Sequence, residues 1–382
     1  MLRVNFHTLT HSEIRNSELA LILLSCAIGL VVGFGVVLLR DLVALLRHLA
    51  FGVALDAHLS DAPALDPLQV LAVPVIGGLA VGLATLLIRR WRPREIVDAI
   101  EANALRGGRL SLTDSLNLAL LTALSSGVGA SVGLEAAYTQ LGAGFASRLG
   151  QVLRLRRVDL RTMVGCGAAA AIAAAFNAPL AGAFYAFELV IGSYTLATLL
   201  PVSAAAVCGT MIARVTLGAD PIFIETDPFT LIARDYVVAG ALGIAGAGVA
   251  IATMVGVTTI EAGLRRLRLP LWLRPALGGL VLGPIALAFP TVLGSGHGAI
   301  LRVLEGGYAL PLMAGMLVAK CVASAVSVGA GFRGGHDIGH PSAFSSPARW
   351  RNPSKCDQDG GSGRRRPSRS WKTGWMTMPN KA

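Results

Sequence analysis

Residues 125–137 read Ser125-Ser126-Gly127-Val128-Gly129-Ala130-Ser131-Val132-Gly133-Leu134-Glu135-Ala136-Ala137. Glu135 follows 20 uncharged residues, 115–134, and precedes 12 more, 136–147. Glycines at 127, 129 and 133 allow close backbone approach between apolar helices. An ionisable group inside such a run is costly at membrane depth, so a functional role is its default reading; the alternative is a structurally paired glutamate in a helix bundle. The apolar piece after Glu135 is too short to cross a bilayer alone and reads as a half-membrane helix starting near the midplane.

About forty residues on comes a second interrupted stretch, Gly167 to Glu188, containing Phe176-Asn177-Ala178-Pro179-Leu180-Ala181-Gly182. The spacing predicts a piece of similar half-membrane length over 162–175 and a break at Asn177-Ala178. A second helix then restarts with Pro179 preset for its first turn. Short apolar segments interrupted by Gly or Pro mark substrate sites in inverted-repeat transporters.

The remaining composition agrees. Of 382 residues, 54% are hydrophobic and 14% charged, against about 25% charged in ordinary soluble domains. Uncharged runs over 19–39, 67–88, 115–134, 162–187, 189–213, 236–260 and 275–301 each reach or approach the ~20 residues that span hydrocarbon. The fold class is therefore all-α: a polytopic membrane protein with tilted and half-membrane helices in contact with the lipid bilayer. No cleavable leader is expected, because the first apolar run is too long for one. The five cysteines (26, 166, 208, 321 and 356) are scattered without metal or disulfide spacing and read as small buried hydrophobes.

The net charge of +11 does not point to nucleic acid. Nine of the basic residues lie in the last 47 positions, and the others sit in short loops between apolar runs. Segments 89–94, 148–161 and 265–274 are arginine-rich, whereas 56–66 and 220–227 carry acids only. The positive-inside rule puts the basic loops and the N-terminus in the cytoplasm, which for a bacterial chain means a multi-pass protein of the inner (plasma) membrane. Pro93 suits the first turn of a short helix over 95–105, and Asp114 suits the N-cap of the next. Residues 1–17 read as a cytoplasmic segment, and 336–382 as a disordered basic tail unable to bury enough apolar surface to fold. No enzyme is expected: His-Glu-x-x-His and paired catalytic carboxylates are missing. No catalytic or metal residues and no cofactor are expected.

At these residues the chain resembles the CLC family of chloride channels and proton-coupled chloride transporters. The Phe176-Asn177-Ala178-Pro179-Leu180-Ala181-Gly182 stretch carries the likeness most specifically, and order and spacing agree from about residue 18 to 335. The resemblance implies an inverted repeat, with a first half over 18–215 and a partial second half over 233–335. It also implies a homodimer with one anion pathway per subunit. Chloride is the implied cargo, held by Gly133, Leu134, Ala136, Ala137, Phe176, Asn177, Ala178 and Pro179 at converging helix N-termini, with Glu135 as the gate. Orphan N–H groups and the positive end of a helix dipole replace part of an anion's hydration without burying a full cation, and weak binding lets the ion leave.

Departures from the family pattern qualify this reading. In the family's Gly-Arg-Glu-Gly-Pro motif, the arginine, second glycine and proline are here Leu134, Ala136 and Ala137. The family's chloride-binding serine is missing from the Arg90-Trp91-Arg92-Pro93-Arg94 segment. Leu189 stands where proton-coupled members carry an inner glutamate, which favours channel-like permeation; exchange using another inner group stays open, as does a non-conducting protein. Glu188 either faces an aqueous vestibule or hydrogen-bonds backbone. Tyr185 reads as packing, Lys320 as an ion-paired or snorkelling residue, and His297 as a loop residue with a proton relay as the alternative. Gly329 to Gly335 reads as a weak counterpart of the turn before Glu135. Past Gly335 the family continues through further helices, so the resemblance implies a shifted frame or damaged 3′ end there.

Overall fold

The computed structural model describes residues 18–55, 57, 59–61, 65–93, 96–218, 232–304 and 308–334. The expectations for segment 1–17, loop 220–227, Gly335 and tail 336–382 lie outside these residues. Among the described residues every regular element is helical. In chain order they are α1 (Glu18–Phe51), α2 (Pro67–Trp91), α3 (Ala99–Leu105), α4 (Leu112–Gly127), α5 (Glu135–Val152) and α6 (Arg157–Phe176). There follow α7 (Pro179–Tyr185), α8 (Leu196–Leu217), α9 (Ala233–Arg266), α10 (Arg274–Ala288), α11 (His297–Leu304) and α12 (Leu310–Ala330). Six of these, α1, α2, α6, α8, α9 and α12, are long and apolar enough to cross a membrane. At about 1.5 Å per residue the 34-residue α1 rises roughly 50 Å, well beyond a ~30 Å hydrocarbon core.

Several local expectations are corrected. The helix before Asn177 is 20 residues long, starting at Arg157, so its polar first turn extends what its apolar run suggested to full spanning length. The short amphipathic helix begins at Ala99 rather than 95, because the Asp98 carboxylate accepts from the Ala99 N–H at 2.7 Å and caps it there. Ser111, not Asp114, caps α4: its hydroxyl accepts from the Asp114 N–H. Asp114 instead pairs with Arg92 at 3.2 Å. The apolar run 189–213 is broken at Gly192, whose φ of +73° ends the preceding helix.

The core is built around α6. Every residue from Thr162 to Ala174 is buried, and their small side chains let neighbouring backbones come close, as lipid-embedded helices require. Gly142 of α5 and Gly167 of α6 face each other so closely that a methyl on either would strike the other's carbonyl oxygen. A methyl on Gly209 of α8 would lie 2.7 Å from the Ala170 oxygen. Helices α1 and α8 close the layer, and α7 packs against α6 near Ala169 and Ala173.

The second half docks through α2, α10 and α12. A methyl on Gly78 or Gly279 would collide with backbone of α10 or α2 respectively. The turn between α4 and α5 then touches α12: the Ser131 N–H donates to Ser327 Oγ at 3.1 Å, and Ser131 Oγ lies 3.1 Å from Ser324 Oγ. The two glycine-rich turns also meet. Arg333 N–H donates to Ser125 Oγ at 3.1 Å, and Gly334 packs on Val132.

Candidate functional site

Glu135 is the first residue of α5, and the turn before it determines where its carboxylate can go. Gly129, with φ of +85°, bends the chain after α4. Ala130 N–H then bonds to the Ser125 carbonyl and Val132 N–H to the Ala130 carbonyl. Leu134 occupies the N-cap of α5 without a side-chain cap hydrogen bond. The first intrahelical bond runs from Tyr138 N–H to the Leu134 carbonyl at 2.9 Å. The opening amides of α5 are therefore not satisfied by a cap, and this end of the helix carries the positive end of its dipole.

The Glu135 side chain folds back over that opening. The three atoms nearest to a methyl built on Gly133 all belong to the Glu135 carboxylate: Oε2 in collision, the carboxyl carbon at 3.0 Å and Oε1 at 3.3 Å. Among the described residues the carboxylate has no hydrogen-bond or ion-pair partner. It is placed by the absence of a side chain at 133 and by the dipole, with nothing latching it.

Beside the carboxylate lies a cavity of about 90 Å³. Its walls come from both halves of the chain. Arg40, Val43 and Arg47 of α1 form one side; Ser126, Leu134, Glu135 and Tyr138 form another. Phe176, from the end of α6, and the segment from Leu293 to His297 close it. His297 starts α11 with its ring 6.1 Å from that of Phe176, and its Nδ1 lies 2.7 Å from Ser295 Oγ. The loop reading of His297 is thus replaced by a ring wedged against Phe176 at the cavity wall. Lys320 neither snorkels nor forms an ion pair among the described residues. Its Nζ donates to the Val292 and Gly294 carbonyls at 3.0 and 2.6 Å and so holds the segment that carries Ser295 and His297.

The sequence-predicted site residues divide into two places. Leu134, Glu135 and Phe176 line the cavity, with Gly133 directly beneath the carboxylate. Ala136 and Ala137 are buried in the first turn of α5. Asn177, Ala178 and Pro179 do not line the cavity. Asn177 is left-handed, with φ of +53°, and terminates α6, while its Oδ1 accepts from Arg214 Nε at 2.7 Å. Ala178 caps α7 without a side-chain hydrogen bond, and Pro179 supplies no N–H, so the free amides of α7 start at Leu180.

Glu188 and Leu189 are exposed in a wide helical turn, 186–191, and are separate from the cavity. That turn is tied to α3 by Asn103 Nδ2, which donates to the Val190 carbonyl at 2.7 Å. Tyr185, like Val97 and Ile100, packs against the buried cluster that includes Ala99, Ala102 and Val190, and its hydroxyl accepts from Thr139 Oγ1 at 3.3 Å. The contributions of Arg40, Arg47, Tyr138 and Ser295 were not read from the sequence. A signal for the arginines was available, since 40, 43 and 47 share one helical face.

Comparison with known proteins places this geometry. The family model for voltage gated chloride channels matches residues 77–337. A ClcB-like chloride channel protein of Ralstonia nicotianae is 36% identical over 271 residues, covering 69% of this chain; the chain spans 63% of that relative's length. A protein described as voltage-gated ClC-type chloride channel ClcB, from Escherichia coli, is 30% identical over 319 residues, covering 82% of this chain and 76% of the relative. Among solved structures, a CLC-type fluoride/proton antiporter superposes with a TM-score of 0.69 at 24% identity, covering 86% of this chain and 78% of its own. A slow cyanobacterial Cl⁻/H⁺ antiporter gives 0.69 at 23% identity, covering 82% and 75%.

Proposed function

Because this chain belongs to the voltage gated chloride channel family, we propose that it carries a small anion, chloride foremost, across the membrane, with Glu135 as the gate. The observation that carries the reading is the Glu135 carboxylate lying over Gly133 at the uncapped start of α5. A chloride ion and this carboxylate are attracted to the same amides and the same dipole end. With the carboxylate in place the site is filled by the protein's own anion. When it is protonated or displaced, the amides become available to a mobile one. The lack of any latch on the carboxylate keeps that exchange shallow, as conduction through successive weak sites requires.

Permeation without obligatory proton coupling is the form of transport we infer, because Leu189 occupies the position of the inner glutamate and has no titratable group. Exchange of chloride for protons is the second reading, favoured by the two solved relatives described as antiporters. In either case we assign the anion-facing backbone to residues 133–137 at the start of α5 and, at the second break, to the free amides of α7 from Leu180 onward. The working form is a homodimer in a bacterial inner membrane, with the N-terminus and the basic segments 89–94, 148–161 and 265–274 in the cytoplasm.

Flux in liposomes made with the full chain tests this. Chloride efflux that moves no protons supports the uncoupled form, whereas uphill proton movement driven by a chloride gradient refutes it and leaves the exchanger. No chloride flux from a monodisperse, correctly inserted preparation refutes both.

A further inference from the structure

The cavity next to Glu135 holds more cationic and hydrogen-bonding capacity than the carboxylate uses. Arg40 and Arg47 both line it, and Glu135 is the only acid among the lining residues. Neither arginine has an ion-pair or hydrogen-bond partner among the described residues, and Arg47 Nε is buried with no partner. Three hydroxyl residues stand on the same walls: Ser60, Ser126 and Tyr138, which as whole residues are 6%, 3% and 7% exposed. None of the three side chains has a hydrogen-bond partner among the described residues. Lys320, the other cation near Glu135, is already engaged by two carbonyls and does not compete.

A buried donor without an acceptor, as Arg47 Nε is here, is costly, and in native proteins such a group is met by protein, water or a ligand. Here the donors come from three segments, α1, the turn at 59–61 and the α4–α5 region, and they share one small space. A space of about 90 Å³ has room for a small ion, since about 10–15 Å³ of this kind of volume already admits one water. Two guanidinium groups against one carboxylate leave an excess of one positive charge, which suits a monovalent anion.

We infer that this cavity is an anion site in its own right, in which Arg40, Arg47 and the Ser60, Ser126 and Tyr138 hydroxyls hold a halide or similarly small monovalent anion beside the Glu135 carboxylate. The site rests on the reading of the chain as an anion carrier, and it adds a waiting position from which an ion enters when the carboxylate leaves. It also supplies from α1 the positive charge that Leu134 does not provide within the turn. Lysine at position 47 retains the charge but loses the planar set of donors.

Bromide is the probe, because its anomalous scattering locates it directly. In crystals of the full chain grown in bromide, the expected result is a peak between the Arg40 and Arg47 side chains that disappears in Arg47→Gln and weakens in Arg47→Lys. An empty cavity in the unaltered chain overturns the inference without needing any variant, as does a peak that survives Arg47→Gln and Arg40→Gln unchanged. Chloride flux from the same preparations separates this from the function proposed above. Flux with an empty cavity rejects the site and keeps the function, and a bromide peak without flux does the reverse. In flux assays Arg47→Gln raises the half-saturating chloride concentration severalfold from the Arg47 side. A lowered maximal rate with unchanged half-saturation rejects a binding role for Arg47.

Discussion

Adding one methyl group at position 133 displaces the gate without touching its charge. Gly133 does not have a left-handed backbone, so alanine is conformationally allowed there. Its methyl would meet the Glu135 carboxyl carbon at 3.0 Å and collide with Oε2, whereas non-bonded carbon atoms rest at about 3.5–4.0 Å. The obstructing atoms are the far end of a flexible side chain with no partner to lose. The side chain therefore yields in preference to the backbone, and the carboxylate leaves the α5 opening. What it gives up is the charge–dipole attraction, worth roughly 0.3–1 kcal/mol at a surface and up to about 2 kcal/mol in a partly buried geometry. One to two kcal/mol shifts a two-state population by a factor of about 5–30. Chloride efflux from liposomes is the assay. Gly133→Ala raises efflux by about that factor, and the double variant Gly133→Ala/Glu135→Gln conducts no better than Glu135→Gln alone, because both changes act on one element. Efflux unchanged by Gly133→Ala when Glu135→Gln does increase it, or full additivity in the double variant, refutes the closed position assigned to the carboxylate.

Glu135→Gln removes the charge that competes with chloride and raises efflux, measured in the same liposomes. Gly167→Val drives side-chain carbon into the Gly142 carbonyl and costs on the order of 1–3 kcal/mol or more by overpacking. It is read as loss of the monodisperse peak or a lowered Tm in detergent. Lys320→Met leaves the Val292 and Gly294 carbonyls without their donor, at about 1–3 kcal/mol for each one left unsatisfied. Faster amide exchange confined to the segment from Val292 to His297 is the expected sign.

The membrane class and the interruption points were legible because each is a local property. A charge within an apolar run marks Glu135, and an Asn-Ala-Pro sequence marks the end of α6 whatever surrounds it. Helix starts were less legible. Asp98 and Ser111 took the capping positions because short polar side chains compete for the same free amides, and the choice between Ser111 and Asp114 depends on the Arg92 ion pair that draws Asp114 away. The same holds for Lys320 and His297. Nothing in their neighbouring residues says that one amine will bind carbonyls 26 and 28 positions earlier, or that one imidazole will pack on Phe176.

These hidden contacts form one chain of dependence across the two halves of the protein. Lys320 of α12 fixes the carbonyls of the segment 292–294; that segment carries Ser295 and His297; His297 packs on Phe176; and Phe176 closes the cavity beside Glu135. A second link runs from Gly294 N–H to the Gly129 carbonyl at 3.3 Å, in the turn that orients α5. Glu135, the proposed gate, therefore stands on the first half while one wall of the cavity beside it is held by the second, and each glycine-rich turn is shaped by contact with the other half. A glutamate at a helix start can be recognised from thirteen residues. The space beside it depends on side chains from positions 40 to 320, and only the folded chain brings those together.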